Sequence, residues 1–450
     1  MGKYFGTDGI RGQFGDAHMN PKFAYRVGSA LGEFLKQTGA DVGAPIVIGR
    51  DTRASGVELK NGLAQGMSQY GFRVKDAGVV PTPAVALAIV ECSAAMGIAI
   101  TASHNPAQDN GIKLFDAKGY KLTAETELEI EALIDVAVKL DNDIPTRATI
   151  DLDGRGLYVE RLSSLMESGS LDGWSIVLDT ANGATHETSP KVLESWGATL
   201  HQIGNQPNGH NINAGVGSEY PRALGEAVIA QSATVGIAHD GDGDRFVVCD
   251  EQGGIIDGDV LLGIYALHAL NQGTLKNQTL VTTIQSNLGL DAAVRAAGGT
   301  VERVDIGDRN VAERMRAIGS NIGGENSGHI IFSDHASTGD GLLAAVKLLE
   351  VMIEQSQPLS ELAKWVELFP QVTKNLKVAE KKPLNELAQF SAVVESVERS
   401  FGDNGRVLVR YSGTEPKLRL LVEGKDEKEV SAAIDAIESA ARADLNVIDG

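Results

Sequence analysis

The sequence predicts an α/β protein of several domains, closed by a smaller α+β domain at its C-terminal end. Three observations predict it. The chain has 450 residues, more than one hydrophobic core serves, so three or four domains are expected. Short apolar runs alternate with amphipathic stretches over most of its length. After the Phe369-Pro370 turn this gives way to two strands and a helix.

The strand-like runs are Ile46–Gly49, Gly97–Thr101, Ile176–Asp179, Val235–Ala238 and Leu280–Thr283. They are short and apolar, as buried strands are. Lys22–Gln37, Ser55–Tyr70, Leu288–Ala297 and Gly339–Glu354 carry helical periodicity between them. Such alternation builds layers of helix on sheet. In the last section Arg406–Val409 and Leu418–Val422 read as strands and Glu427–Ala441 as a helix. Breaks at Leu140–Asp153, Gln252–Gly254 and Phe369–Thr373 divide the chain into 1–150, 151–253, 254–370 and 371–450. The first three segments share only a loose strand-helix-strand rhythm.

A formal net charge of −20 argues against nucleic acid or an anionic membrane as partner. It leaves room for a local Arg/Lys cluster that holds a phosphorylated small molecule. Cys92 and Cys249 form no metal-ligand spacing, which fits a reducing, cytoplasmic compartment. The opening Met-Gly-Lys-Tyr-Phe-Gly has no apolar signal region, and Gly6 breaks the myristoylation pattern. The apolar stretch Val79–Ala102 contains Pro81, Pro83 and Glu91, so it reads as turn, helix and buried strand. A soluble protein is expected.

The strongest local signal is His239-Asp240-Gly241-Asp242-Gly243-Asp244-Arg245, between the strand-like runs Thr234–Ala238 and Phe246–Asp250. Carboxylates at i, i+2 and i+4 in a glycine-rich loop can converge on one point. An all-oxygen cluster of that kind suits a hard cation, Mg²⁺ or Ca²⁺. An EF-hand is the first rival, with Glu251 at its twelfth position. Against it, Arg245 stands where that loop needs glycine, and the flanks read as strands.

Thr101-Ala102-Ser103-His104-Asn105-Pro106 follows the apolar run Met96–Ile100. It presents Ser103 at the carboxyl edge of a sheet, where α/β proteins bind ligands. No Gly-x-Ser-x-Gly elbow surrounds Ser103, so acyl transfer has little support. Arg410-Tyr411-Ser412-Gly413-Thr414-Glu415-Pro416, with Arg419 nearby, is either a phosphate nest or an ordinary hairpin turn. Gly6-Thr7-Asp8-Gly9-Ile10-Arg11-Gly12 has similar ingredients. Gly323-Gly324-Glu325-Asn326-Ser327-Gly328-His329 offers groups suited to sugar hydroxyls and proton transfer, or is a polar loop with a structural histidine.

In this order, the loops at 101–106, 240–245, 323–329 and 410–416 resemble the landmarks of the α-D-phosphohexomutase superfamily from end to end. The Tyr4–Gly12 opening, Ser286-Asn287-Leu288-Gly289 and Phe369-Pro370-Gln371-Val372 resemble its phosphoglucosamine mutase branch. The resemblance implies a heart-shaped molecule of four domains, three α/β with mixed sheets and a smaller C-terminal α+β domain. It implies a phosphoserine at Ser103 and one Mg²⁺ per subunit on Asp240, Asp242, Asp244 and a phosphoserine oxygen. Arg245 would orient the reacting phosphate, and Glu325 and Ser327 would hold sugar hydroxyls. Arg410, Ser412, Gly413 and Thr414, with Arg419, would grip the other phosphate. Lys113 would transfer protons, with His329 as second candidate, and Arg11 would support the serine loop.

The implied reaction interconverts glucosamine 6-phosphate and glucosamine 1-phosphate through a hexose 1,6-bisphosphate, which is also the activator, and supplies UDP-N-acetylglucosamine synthesis. The rivals are a mutase for mannose or glucose phosphates, a magnesium-dependent sugar phosphatase and a calcium-binding module. A homodimer is a further implication. Glu219, in Gly217-Ser218-Glu219-Tyr220-Pro221, and Tyr411 depart from the usual family residues without removing a catalytic group.

Overall fold

Three sheets of one strand order underlie the larger part of the molecule. The computed structural model describes residues 2–6, 8–137, 149–412 and 416–448. Two units result, Met1–Gln285 with Ala297–Trp365, and Ser286–Ala296 with Val366–Gly450.

In the larger unit, the first sheet comprises β1 (Phe5–Gly6), β2 (Gly9–Gln13), β3 (Ile46–Arg50), β4 (Val74–Val79), β5 (Met96–Ile100), β6 (Asp109–Phe115) and β7 (Ile150–Asp151). Their order is β1-β2-β6-β5-β3-β4-β7. The second sheet holds β8 (Ser175–Asp179), β9 (Thr199–Ile203), β10 (Val235–His239), β11 (Phe246–Cys249) and β12 (Ile255–Ile256), ordered β12-β11-β10-β8-β9. The third holds β13 (Thr279–Thr283), β14 (Thr300–Val304), β15 (Ile322–Gly324) and β16 (Ile330–Phe332), ordered β14-β13-β15-β16.

The shared feature is a parallel trio followed by one antiparallel strand. β5, β10 and β15 each lie parallel to the first strand of their trio and pair antiparallel with the next strand in the chain. Each such hairpin connection carries one of the loops singled out above: residues 101–108, 240–245 and 325–329. The strands read as apolar runs because both faces are covered; every residue of β5 and of β10 is buried. Helix Pro21–Gln37 starts where Asn20 accepts the Phe23 N–H at 2.9 Å and proline takes the first turn. It buries Phe23, Val27, Leu31 and Leu35 in the core of the first sheet.

The first and second sheets run slightly past the segment limits at 150 and 253. The Gln252–Gly254 turn lies inside the second sheet, since Ile255 pairs with Cys249. Glycine there makes a hairpin. Likewise β7 pairs with β4 and carries the first sheet to Asp151.

In the smaller unit, β17 (Gln371–Lys377), β18 (Gly405–Tyr411) and β19 (Lys417–Gly424) form an antiparallel sheet ordered β17-β19-β18. Alternate residues Leu418, Leu420 and Val422 of β19 point into a core with Ile434 and Ile437 of helix Glu427–Asp444. Ser286–Ala296 packs with this unit. The Asn287 side chain accepts the Phe369 N–H at 2.8 Å and donates to the Phe369 carbonyl at 3.0 Å. Two marks far apart in the sequence are therefore halves of one contact. No helix among the described residues is long and apolar enough to cross a membrane; Val79–Ala102 is the end of β4, helix Thr82–Glu91 and β5.

Candidate active site

Ser103 sits in the β5–β6 connection with a left-handed backbone (φ +52°) and is buried. Its N–H donates to Thr101 Oγ1 at 2.9 Å. Its Oγ donates to Asp240 Oδ2 at 2.6 Å, with His104 Nδ1 3.3 Å away. The β10–β11 turn meets the serine turn so closely that a Cβ on Gly241 would lie 2.5 Å from the Ser103 carbonyl oxygen. Only glycine fits there.

Asp240, Asp242 and Asp244 are all buried, and each offers a ligand oxygen within 4.8 Å of the others. Lys113, on β6, reaches across the sheets, its Nζ 2.8 Å from Asp242 Oδ2, 3.0 Å from Asp244 Oδ2 and 3.1 Å from Asp8 Oδ2. Thr82 Oγ1 also donates to Asp242 Oδ2, at 2.5 Å. The opposite oxygens, Asp242 Oδ1 and Asp244 Oδ1, are buried with no hydrogen-bond partner among the described residues. Such groups are costly unless something satisfies them, and two anionic oxygens beside Asp240 have the chemistry of a hard-cation site. The residues fit a divalent metal.

The electrostatics agree. Burial first, then Asp242 and Asp244, push the Asp240 carboxyl well above its usual range. Asp244 is held below the usual range despite its burial, by Lys113, His329 and Arg245. Burial alone lowers an ammonium's pKa, yet Asp242, Asp244 and Asp8 hold that of Lys113 well above its ordinary value. Lys113 is a buried cation.

Arg245 completes the turn. Its Nη1 lies 3.5 Å from His104 Nδ1, and its Nε lies 3.9 Å from Asp244 Oδ1. Burial and Arg245 lower the pKa of His104, favouring the neutral imidazole. Arg11, on β2, pairs with Asp8 and approaches Asn105 Oδ1 at 3.5 Å, so it touches the serine loop.

The β15–β16 turn brings Glu325, Ser327 and His329. Ser327 is exposed. Glu325 Oε1 accepts the Gly307 N–H at 3.0 Å, where Gly307 has φ +128°, a conformation that favours glycine. His329 is buried, with Nε2 3.3 Å from Asp308 Oδ2. Asp308 also pairs with Lys121, whose Nζ lies 2.5 Å from Asp8 Oδ1. A continuous chain of charge thus runs from His329 through Asp308, Lys121 and Asp8 to Lys113. The sequence reading missed Asp308 and Lys121, and neither sits in a motif that would have exposed it.

The larger unit therefore brings Ser103, the three aspartates, Lys113, Arg245 and Arg11 into one cluster, with His329 tied to it by the charged chain. Arg410, Ser412 and Arg419 belong to the smaller unit. There Arg410 and Arg419 are directly opposed on β18 and β19. Burial and Arg419 lower the pKa of Arg410. Arg419 Nε is buried without a hydrogen-bond partner among the described residues. Lys381 Nζ donates to the Ser412 carbonyl at 2.6 Å. Gly413 and Thr414, like Thr7, lie outside the described residues.

Family models match most of the chain in order: phosphoglucomutase/phosphomannomutase alpha/beta/alpha domain I at 2–139, domain II at 157–254, domain III at 257–369 and the C-terminal domain at 374–440. The phosphoglucosamine mutase of Sorangium cellulosum is 44% identical over 446 residues, covering 97% of this chain and 92% of that protein. That of Pelobacter propionicus is 45% identical over 438 residues, with 96% of each covered. The crystal structure of a phosphoglucomutase/phosphomannomutase family protein from Burkholderia thailandensis has a TM-score of 0.80 at 25% identity, covering 99% of this chain and 98% of that one.

Proposed function

Because this chain belongs to the phosphoglucosamine mutase family and is an isomerase of the phosphohexomutase kind, we propose that it interconverts glucosamine 6-phosphate and glucosamine 1-phosphate by way of a phosphoserine at Ser103. The observation that carries the reading is the 2.6 Å contact of Ser103 Oγ with Asp240, in a triad that keeps two buried carboxylate oxygens without a hydrogen bond among the described residues.

Asp240, Asp242 and Asp244 would hold one Mg²⁺ per subunit, with an oxygen of the phosphorylated Ser103. When bound, the ion supplies charge neutralisation to the phosphoryl group in flight. The rest is done by the chain. The sugar O1 hydroxyl attacks phosphorus, the P–Oγ bond breaks, and the P–O1 bond forms. The hydroxyl proton leaves O1, and one proton arrives at Oγ. Lys113, held as an ammonium by three carboxylates, suits the donor at Oγ. His329 suits the acceptor, since its Nδ1 has no hydrogen-bond partner among the described residues. After the 1,6-bisphosphate turns in the site, its 6-phosphate returns to Ser103 by the reverse steps and the 1-phosphate leaves.

Arg245 would orient the reacting phosphate and Arg11 the serine loop. Glu325 and Ser327 would take sugar hydroxyls, and Arg410, Ser412, Gly413, Thr414 and Arg419 the distal phosphate. A trace of hexose 1,6-bisphosphate would prime Ser103. The setting is cytoplasmic, and the product feeds UDP-N-acetylglucosamine synthesis.

³¹P NMR with Mg²⁺, a trace of hexose 1,6-bisphosphate and glucosamine, mannose or glucose 6-phosphate in parallel tests this. The expected result is fastest formation of glucosamine 1-phosphate. Preference for mannose or glucose overturns the substrate. Free phosphate without any 1-phosphate overturns the mutase reading.

A further inference from the structure

We propose that Arg53 and Asn213 are positioning residues for the reaction, clamping the backbone of the Ser103 turn from behind and so fixing where Oγ points; this rests on Ser103 as the phosphoryl carrier. Arg53 follows β3 and is 1% exposed. Its Nε donates to Asp51 Oδ2 at 2.9 Å, and its Nη2 to the carbonyls of Ser103 at 3.1 Å and Asn105 at 2.8 Å. Its Nη1 donates to the Pro106 carbonyl. Burying a guanidinium is costly, and here its planar fork is spent almost entirely on the carbonyls of one turn.

Asn213 arrives independently, from the connection between β9 and β10. Its Nδ2 donates to the same two carbonyls, Ser103 at 2.8 Å and Asn105 at 2.9 Å. Its own N–H is anchored on the Ala181 carbonyl at 2.8 Å. Each of the two carbonyl oxygens therefore accepts one bond from Arg53 and one from Asn213, which uses both lone pairs. The clamp acts where the backbone is least favourable. Ser103 has φ +52°, a region that disfavours residues with a Cβ, and such conformations persist only when the surroundings over-determine them. The dihedral sets the Cα–Cβ direction, and from it Oγ meets Asp240. The Asn213 amide also lies 2.9 Å from where a Cβ of Gly241 would be. One side chain thus registers the serine turn against the metal turn.

Asn213→Asp tests the clamp, since it keeps the shape but turns an acceptor toward two carbonyls. Asn213→Ala, which only deletes the donor, is the second variant. Phosphorylation of Ser103 by glucose 1,6-bisphosphate, followed by intact mass, and steady-state turnover of glucosamine 6-phosphate are the two readouts. Both variants are expected to label and turn over about 100-fold more slowly, with KM within about two-fold of the parent and thermal midpoints within a few degrees. Labelling at the parent's rate in both variants overturns the clamp. So does loss of labelling only in proportion to loss of folded protein. A parent that labels but isomerises no sugar overturns the mutase reading alone, and the labelling rates still judge the clamp.

Discussion

Lys113 and Asp242 form a buried ion pair, Nζ 2.8 Å from Oδ2, while the other oxygen of that carboxylate has no hydrogen bond among the described residues. The two halves of one side chain thus face two cations, one built into the fold and one to be bound. Asp242→Asn should weaken Mg²⁺ binding by at least about 100-fold and lower turnover with it, because a neutral amide gives up the charge on which a hard cation depends. Isothermal titration reads the affinity; an unchanged affinity removes Asp242 from the metal site.

Removing the built-in cation has a different signature. Lys113→Met leaves the buried Asp242 and Asp244, and the half-buried Asp8, without their shared counter-charge, a change of about 3–5 kcal/mol for the broken buried pairs. Added Mg²⁺ binds only the folded form and offsets part of that loss by mass action. The rise in thermal midpoint on adding Mg²⁺ should therefore be larger for Lys113→Met than for the parent. Equal rises would mean that the lysine does not balance the triad.

Asp308 faces His329 at 3.3 Å and is itself tied to Lys121. That approach lacks hydrogen-bond geometry among the described residues, but a carboxylate this near an imidazole attracts an N–H on the facing nitrogen and so favours one tautomer. Asp308→Asn should lower kcat about 10-fold or more with little change in KM. Nitrogen NMR of the His329 ring should show mixed tautomers where the parent shows one. A variant with lost affinity and an unchanged ring would assign Asp308 to sugar binding.

In the smaller unit, opposed Arg410 and Arg419 repel unless an anion lies between them. Arg419→Gln should therefore raise the thermal stability of the ligand-free protein slightly, by about 0.2–1 kcal/mol, yet raise KM for the sugar phosphate about 10-fold or more. Stability and affinity moving together would argue for a purely structural arginine pair.

What was legible in the sequence was what lies close in the chain. The turns at Ser103 and at Asp240–Asp244 place chemistry within a few residues, and buried strands such as β5 and β10 announce themselves as apolar runs. Arg53, Asn213, Lys121 and Asp308 were not legible. Each is a single polar residue that acquires its meaning from a partner 50 or more positions away, such as Ser103 for Arg53 or Asp308 for Lys121. The common strand order of the three sheets was equally hidden, because a doubly covered strand demands only apolar character and keeps no register in its residues. Asn287 and Phe369 read as separate marks for the same reason: their contact closes a loop of 82 residues.

Asp340 is buried at the start of helix Gly341–Gln355, accepting the Leu343 N–H at 2.9 Å and the Tyr158 O–H at 2.6 Å. Burial pushes its carboxyl up to about 6, from an ordinary 3.8. The folded state then holds this proton more tightly than the unfolded state. Its contribution to stability is fully present below pH 3.8 and is lost as pH rises through about 6. The gap between the two values corresponds to on the order of 3 kcal/mol. Asp340→Asn keeps an N-cap acceptor and does not titrate. Urea unfolding at pH 4 and pH 7 should show the parent losing about 2–3 kcal/mol more than Asp340→Asn over that interval, all other groups being common to both. Parallel losses would mean that the Asp340 carboxyl is ionised in the folded protein at both pH values, stabilised by the very hydrogen bonds that make it a cap.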